Sequence, residues 1–197
     1  FGWSRANGLF GGWNISGGCY TAPAGPGLHK AAVDFLDTLG KKVLAELWVE
    51  DRTGYWEHRN FERLVQESFE PWLKQNVDEA LAKLEQSTGS VPLFWDPEEY
   101  QPEEIPGTIY TPVGRFSKTW METQRGKPHA LAQRLFLWPN IQRDARFHRN
   151  CALKRLWEEC CFAPSDRSSE DESMNRFILN SLEQAFQLDP TLPLPLA

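Results

Sequence analysis

The chain has 197 residues, 41% of them apolar and 24% charged, with a net charge of −6 and an isoelectric point near 5.3. Length and apolar content suffice for one domain with a buried core and exclude a wholly disordered chain, while the negative balance excludes nucleic-acid binding driven by a global positive field. No window reaches the about 18 continuous apolar residues of a bilayer span, because Lys41, Lys42 and Glu46 interrupt the best candidate, Leu28 to Val49.

Residues 1–27 hold eight of the fourteen glycines, with Trp3, Phe10, Trp13 and Tyr20 between them and no sustained helical or strand period. They read as an irregular arm with aromatic anchors. From Leu28, apolar residues recur at Ala32, Phe35, Leu36, Leu39, Val43 and Leu47, with His29, Lys30, Asp34, Asp37 and Lys41 on the remaining face. This spacing predicts an amphipathic helix running to Leu47, weakened at Gly40 by roughly 1 kcal/mol relative to Ala. A second helical stretch is predicted from Trp56 to Glu70, and Pro71 suits the first turn of a third, Trp72 to Gln86, so that 28–86 forms a helical region with a hairpin or kinked pair.

Residues 87–128 carry Pro92, Pro97, Pro102, Pro106 and Pro112. That spacing forbids a long helix and leaves room for short strands such as Thr108 to Tyr110, so an extended segment crossing a surface is expected. Helical pattern returns over 129–188, at Ala130 to Trp138, Asn140 to Phe162 and Glu170 to Leu188, the last through Met174, Phe177, Ile178, Leu182 and Phe186. It stops at Asp189-Pro190. Pro193 and Pro195 hold the tail 189–197 extended, with Leu192, Leu194 and Leu196 forming a stripe suited to a groove. The expected fold is therefore mainly α: about five helices, long irregular Gly- and Pro-rich extensions, and at most a short β-hairpin.

Chemistry-bearing residues form no strong pattern. His148 and Cys151 stand one helical turn apart, with Cys160 and Cys161 beyond, and are the nearest approach to a metal site, although adjacent cysteines rarely share one tetrahedral ion. Buried or oxidised cysteines are the plainer reading. No G-x-S-x-G elbow occurs, and Gly25-Pro26-Gly27 lacks the Lys-Ser/Thr of a phosphate loop and reads as a turn. The carboxylates Asp96, Glu98, Glu99, Glu103 and Glu104 read as a solvated run or as a patch for a basic partner. Neither a catalytic residue, a resident metal nor a cofactor is expected. Nine tryptophans either fill the core or anchor interfaces, where Trp is enriched.

Tyr55-Trp56-Glu57-His58-Arg59-Asn60-Phe61 is similar to aromatic, His-Arg-containing helical segments of complex I accessory subunits on the intermembrane-space side. Cys151 and Cys161 resemble one C-x9-C element of the helical-hairpin proteins oxidised in that compartment; Cys19 and Cys160 supply no second element. The resemblance implies a Cys151–Cys161 disulfide and a mitochondrial location peripheral to the inner membrane. A first residue Phe1 in place of Met agrees with removal of a transit peptide. The expectation is a non-catalytic accessory subunit with other protein subunits as partners, anchored by Trp3, Trp13, Trp95 and Trp120. The rivals are a bacterial immunity protein, cytoplasmic or periplasmic, offering its acidic patch to a basic toxin, and an enzyme of unfamiliar type using His148, Cys151 or the acidic loop.

Overall fold

A computed structural model describes residues 2–5, 13–44, 46–94, 103–160 and 169–193, with side chains outside 2–5, 13–15 and 169–171. The protein is mainly helical with a small three-stranded sheet.

The N-terminal arm is more ordered than its glycine content predicts. β1 (Gly2–Arg5) and β2 (Trp13–Ser16) pair antiparallel, with Trp3 opposite Ile15 and Arg5 opposite Trp13. Each strand has only four residues, too short for alternation to stand out in sequence. Further on, Thr21 and 24–27 are buried.

α1 (Pro26–Lys42) begins with proline in its first turn, where the missing N–H costs nothing. It ends five residues before the expected Leu47. The Val43 and Leu44 amides both reach back to the Leu39 carbonyl at 2.9 and 3.0 Å. The apolar period carries on past Lys42 because Leu47 folds back over Gly40, where an added Cβ would sit 3.0 Å from its Cδ2.

The next helices form no hairpin, because the helical backbone is continuous from Phe61 to Gln86. α2 (Tyr55–His58) stops at Arg59, which is left-handed at φ 51°, and Asn60 then caps α3 (Phe61–Leu64) by accepting the Arg63 amide. α3 runs through a π-helical turn, Val65–Phe69, into α4 (Glu70–Gln86). Pro71 explains the wide turn: it has no amide to donate and its ring crowds the carbonyl four residues back. The chain responds by letting the Glu70 amide reach Val65, which spreads the perturbation and keeps the rod continuous. One face of the rod, Leu64, Phe69, Leu73, Val77, Ala80, Leu81 and Leu84, is buried. Removing each such side chain from water contributes roughly 1.5–3 kcal/mol.

The described residues of 87–128, which exclude 95–102, build strands and a helix. β3 (Val91–Pro92) pairs parallel with β4 (Thr108–Thr111), which pairs antiparallel with β5 (Gly114–Ser117), so the sheet exceeds the expected hairpin by one strand. Ser117 caps α5 (Lys118–Gln124), a helix the proline spacing concealed, by accepting the Trp120 amide. Ile109 and Met121 are fully buried beside Leu64, Leu73 and Val77, which makes the segment part of the core. Pro106 and Pro112 sit at turns before and between the strands, so they mark ends of elements.

α6 (Pro128–Leu135) is followed by an extended stretch whose Phe136, Leu137 and Trp138 are buried. Asp144 caps α7 (Ala145–Glu158), and α7 packs along α8 (Ser169–Leu188). Among the described residues no helix is long and apolar enough to cross a membrane.

Candidate functional site

The densest polar centre joins three segments distant in sequence. His29, in the second turn of α1, meets the Thr21 hydroxyl through Nδ1 at 2.9 Å. Its Nε2 faces Asp51 Oδ2 at 3.3 Å and Thr53 Oγ1 at 3.1 Å. Asp51 also accepts the Thr53 amide at 2.9 Å, the Thr53 hydroxyl at 2.8 Å and the Trp56 amide at 2.9 Å, so one carboxylate closes the 51–53 turn and holds the start of α2. The side chains are 12% and 5% exposed. The ring of His29 lies edge-on to Tyr55 and Phe69, with centroids 5.9 and 5.8 Å away.

The hydrogen bonds assign the tautomer of the neutral ring. A carboxylate only accepts, so Nε2 carries the proton toward Asp51 and Nδ1 accepts from Thr21. Burial pushes the Asp51 carboxyl up, but the Thr53 and Trp56 amides, the Thr53 hydroxyl and the facing His29 together hold it below the usual carboxylate range. The Thr–His–Asp order resembles a nucleophile relay. Thr21 is nevertheless buried, and its own carbonyl accepts the Gly25 amide at 3.1 Å. The centre therefore acts as a clamp, tying residues 17–25 and the 46–54 loop to α1.

Beside it, Gly25-Pro26-Gly27 receives the chain's own backbone. The Gly27 amide donates to the Trp138 carbonyl at 3.0 Å and the Trp138 amide to the Ala24 carbonyl at 2.7 Å. A Cβ on Gly27 would stand 2.1 Å from the Asn140 carbonyl oxygen, and Gly25 has φ 105°. The turn reading of this tripeptide holds, and the space a phosphate would need is filled by residues 138–140.

The residues singled out from the sequence lie apart from this centre. Trp120 is half-buried, tilted against Phe116 at 4.8 Å and packed on the main core. Trp3 and Trp13 belong to the β1–β2 ribbon by backbone, their side chains lying outside the description, and Trp95 is outside the described residues. Cys151 lies on α7 with its thiol unpaired among the described residues, and Cys161, its expected disulfide partner, lies outside them. His148, half-buried and edge-on to Phe147, has no third ligand with Cys151, and no such group of three occurs among the described residues. Of the acidic run, Glu103 and Glu104 are described and exposed.

Exposed apolar side chains form a second feature. α8 buries Ile178, Ser181 and Ala185 and leaves Phe177, Leu179, Phe186 and Leu188 exposed, although the sequence pattern placed Phe177 and Phe186 on the core stripe. Both phenylalanines of α8 are thus on its exposed side, while Ile178 is the large side chain it buries. At the other side of α1's end, Phe35, Val43 and Trp48 are exposed, Trp48 by 81%.

No family model, curated protein sequence or solved structure matches the chain.

Proposed function

We propose that the chain is a non-catalytic accessory subunit of a larger protein assembly, a helical core that docks on neighbouring subunits through exposed apolar side chains. The observation that carries this reading is α8, a 20-residue helix with four large apolar side chains open to solvent, Leu179 and Phe186 at 66%. Leu179 and Phe186 lie on the side of α8 away from its buried Ile178, Ser181 and Ala185, and large apolar side chains left open there suit contact with another protein. Trp48 adds the residue type most enriched among energetic anchors of interfaces.

The more specific form of the reading, a place among respiratory-complex accessory subunits at the mitochondrial inner membrane, rests on the likeness of the Tyr55–Phe61 segment and of the Cys151–Cys161 spacing. Use of Cys151 as a nucleophile is disfavoured, because burial pushes its thiol up to about 11 and keeps it protonated near neutrality.

Native mass spectrometry of the endogenous material tests the proposal. A stable multi-subunit mass is the expected result and identifies the partners. A lone 22.7 kDa monomer overturns it and favours the toxin-inhibitor reading. Co-fractionation with inner-membrane complexes tests the mitochondrial form separately.

A further inference from the structure

The described arginines differ in whether they face a carboxylate; Arg59, for one, faces Asp37 at 3.6 Å. Arg63, Arg125, Arg155 and Arg176 each face a carboxylate, Glu67, Asp78, Glu159 and Glu172 respectively. Arg134, Arg146 and Arg149 face none among the described residues, as do Arg52, Arg115 and Arg143, but Arg146 reaches the residue before Arg134 and stands one turn before Arg149. The segment 131–150 holds four arginines against the single carboxylate of Asp144, in a chain whose net charge is −6. Asp144 is occupied as the cap of α7, accepting the Phe147 amide at 2.9 Å.

Three contacts set the group. Arg146 donates through Nη1 to the Gln133 carbonyl at 2.8 Å, which carries its guanidinium from α7 to the last turn of α6, the turn that also holds the exposed Arg134. Arg149, one turn along from Arg146, is gripped through Nε and Nη2 by Asn150 Oδ1 at 3.1 and 2.8 Å, while its Nη1 donates to the Pro193 carbonyl at 2.9 Å. Asn150 is itself 1% exposed, so the grip is fixed by burial. Burial first, then repulsion by Arg146 and Arg134, pulls the Arg149 guanidinium down to about 10, against the pull of Asp144. Like charges that act on one another cost folding energy that an anion between them recovers.

We propose that Arg134, Arg146 and Arg149 form a binding site for a phosphate monoester dianion, carried either by a soluble compound or by the headgroup of a lipid. A carboxylate balances one positive charge and offers two oxygens. A phosphate monoester offers three oxygens and close to two charges near neutrality, matching several planar donors at once. Donors remain for it: both terminal nitrogens of Arg149 keep a free N–H, Arg146 has one donor engaged, and Arg134 has none. The site is local and independent of any protein partner.

The test uses the full chain with three probes, inorganic phosphate, glycerol 3-phosphate and phosphatidylcholine vesicles containing phosphatidic acid, followed by titration calorimetry and vesicle co-sedimentation. Arg134→Glu changes an exposed side chain with no hydrogen bond and leaves folding intact. Arg52→Glu makes the same charge change at another exposed position. Saturable binding to a soluble probe, weakened about tenfold or more by Arg134→Glu, unaffected by Arg52→Glu and weaker at pH 5 than at pH 7, is the expected result. Binding to the vesicles alone with the same variant pattern supports the site and assigns the phosphate to lipid. The proposal fails if none of the probes binds saturably, or if the two variants weaken binding equally.

Discussion

Replacing Gly27 with alanine tests whether the glycine pair at the start of α1 is a packing device. The added methyl would stand 2.1 Å from the Asn140 carbonyl oxygen and 2.5 and 2.6 Å from Cγ and Cδ1 of Trp138. Two of these three neighbours belong to a ring that is itself buried, and the nearest is backbone, so neither swings away cheaply. Relief requires moving residues 138–140 off α1, which stretches the 3.0 Å hydrogen bond from the Gly27 amide to the Trp138 carbonyl. Overpacking costs about 1–3 kcal/mol and the lost hydrogen bond about 1. Alanine's better helix propensity returns up to about 1, leaving a net loss of about 2 kcal/mol. For a chain of this size that is a fall of roughly 4–8 °C in Tm. Differential scanning calorimetry of Gly27→Ala beside Gly18→Ala, where an added Cβ meets nothing within 4 Å, measures it. If both variants melt within a degree or so of the parent, the close approach of 24–27 to 136–140 is wrong.

Asp51 titrates below its ordinary value in the folded chain; its contribution is therefore present above the unfolded value of about 3.9 and lost as pH falls through the lower folded value. Urea midpoints of the wild type should thus drop more steeply below about pH 4 than those of Asp51→Asn, and parallel curves would contradict the clamp. Cys151, pushed up to about 11 by burial, should react with iodoacetamide at pH 8 far more slowly than exposed Cys19; equal labelling rates by peptide mass spectrometry would refute its placement. Trp48→Ser should change stability by no more than about 0.5 kcal/mol yet reduce recovery of co-purifying subunits. In contrast Leu73→Ala, at a fully buried position, should cost about 2–5 kcal/mol in denaturant melts.

Local rules carried much of the helical architecture. The period of 3.6 placed α4, α6 and α8 to within a few residues, while α7, expected over Asn140–Phe162, begins five residues later at Ala145 because Asp144 caps it. Pro71 in a first turn and the stop at Asp189-Pro190 were equally readable, since proline's missing amide acts on its own neighbours. The short β4 strand was visible as Thr108 to Tyr110 for the same reason.

What failed was whatever depended on a partner far along the chain. The end of α1 was hidden because Leu47 continues the helical period while packing back on Gly40. α5 was hidden because its seven residues follow a proline-rich run. The outward face of α8 was misread because only contact with α7 selects Ser181 and Ala185, rather than Phe177 and Phe186, for burial. Asp51-x-Thr53 ahead of Tyr55 was a legible turn and cap, and Arg143, Arg146 and Arg149 at steps of three were a legible basic face. That Thr21 and His29 close on Asp51, and that Arg134 joins Arg146 and Arg149, was decided in the tertiary structure, because hydrogen bonding and repulsion between side chains depend on separation in space, which spacing along the sequence does not specify.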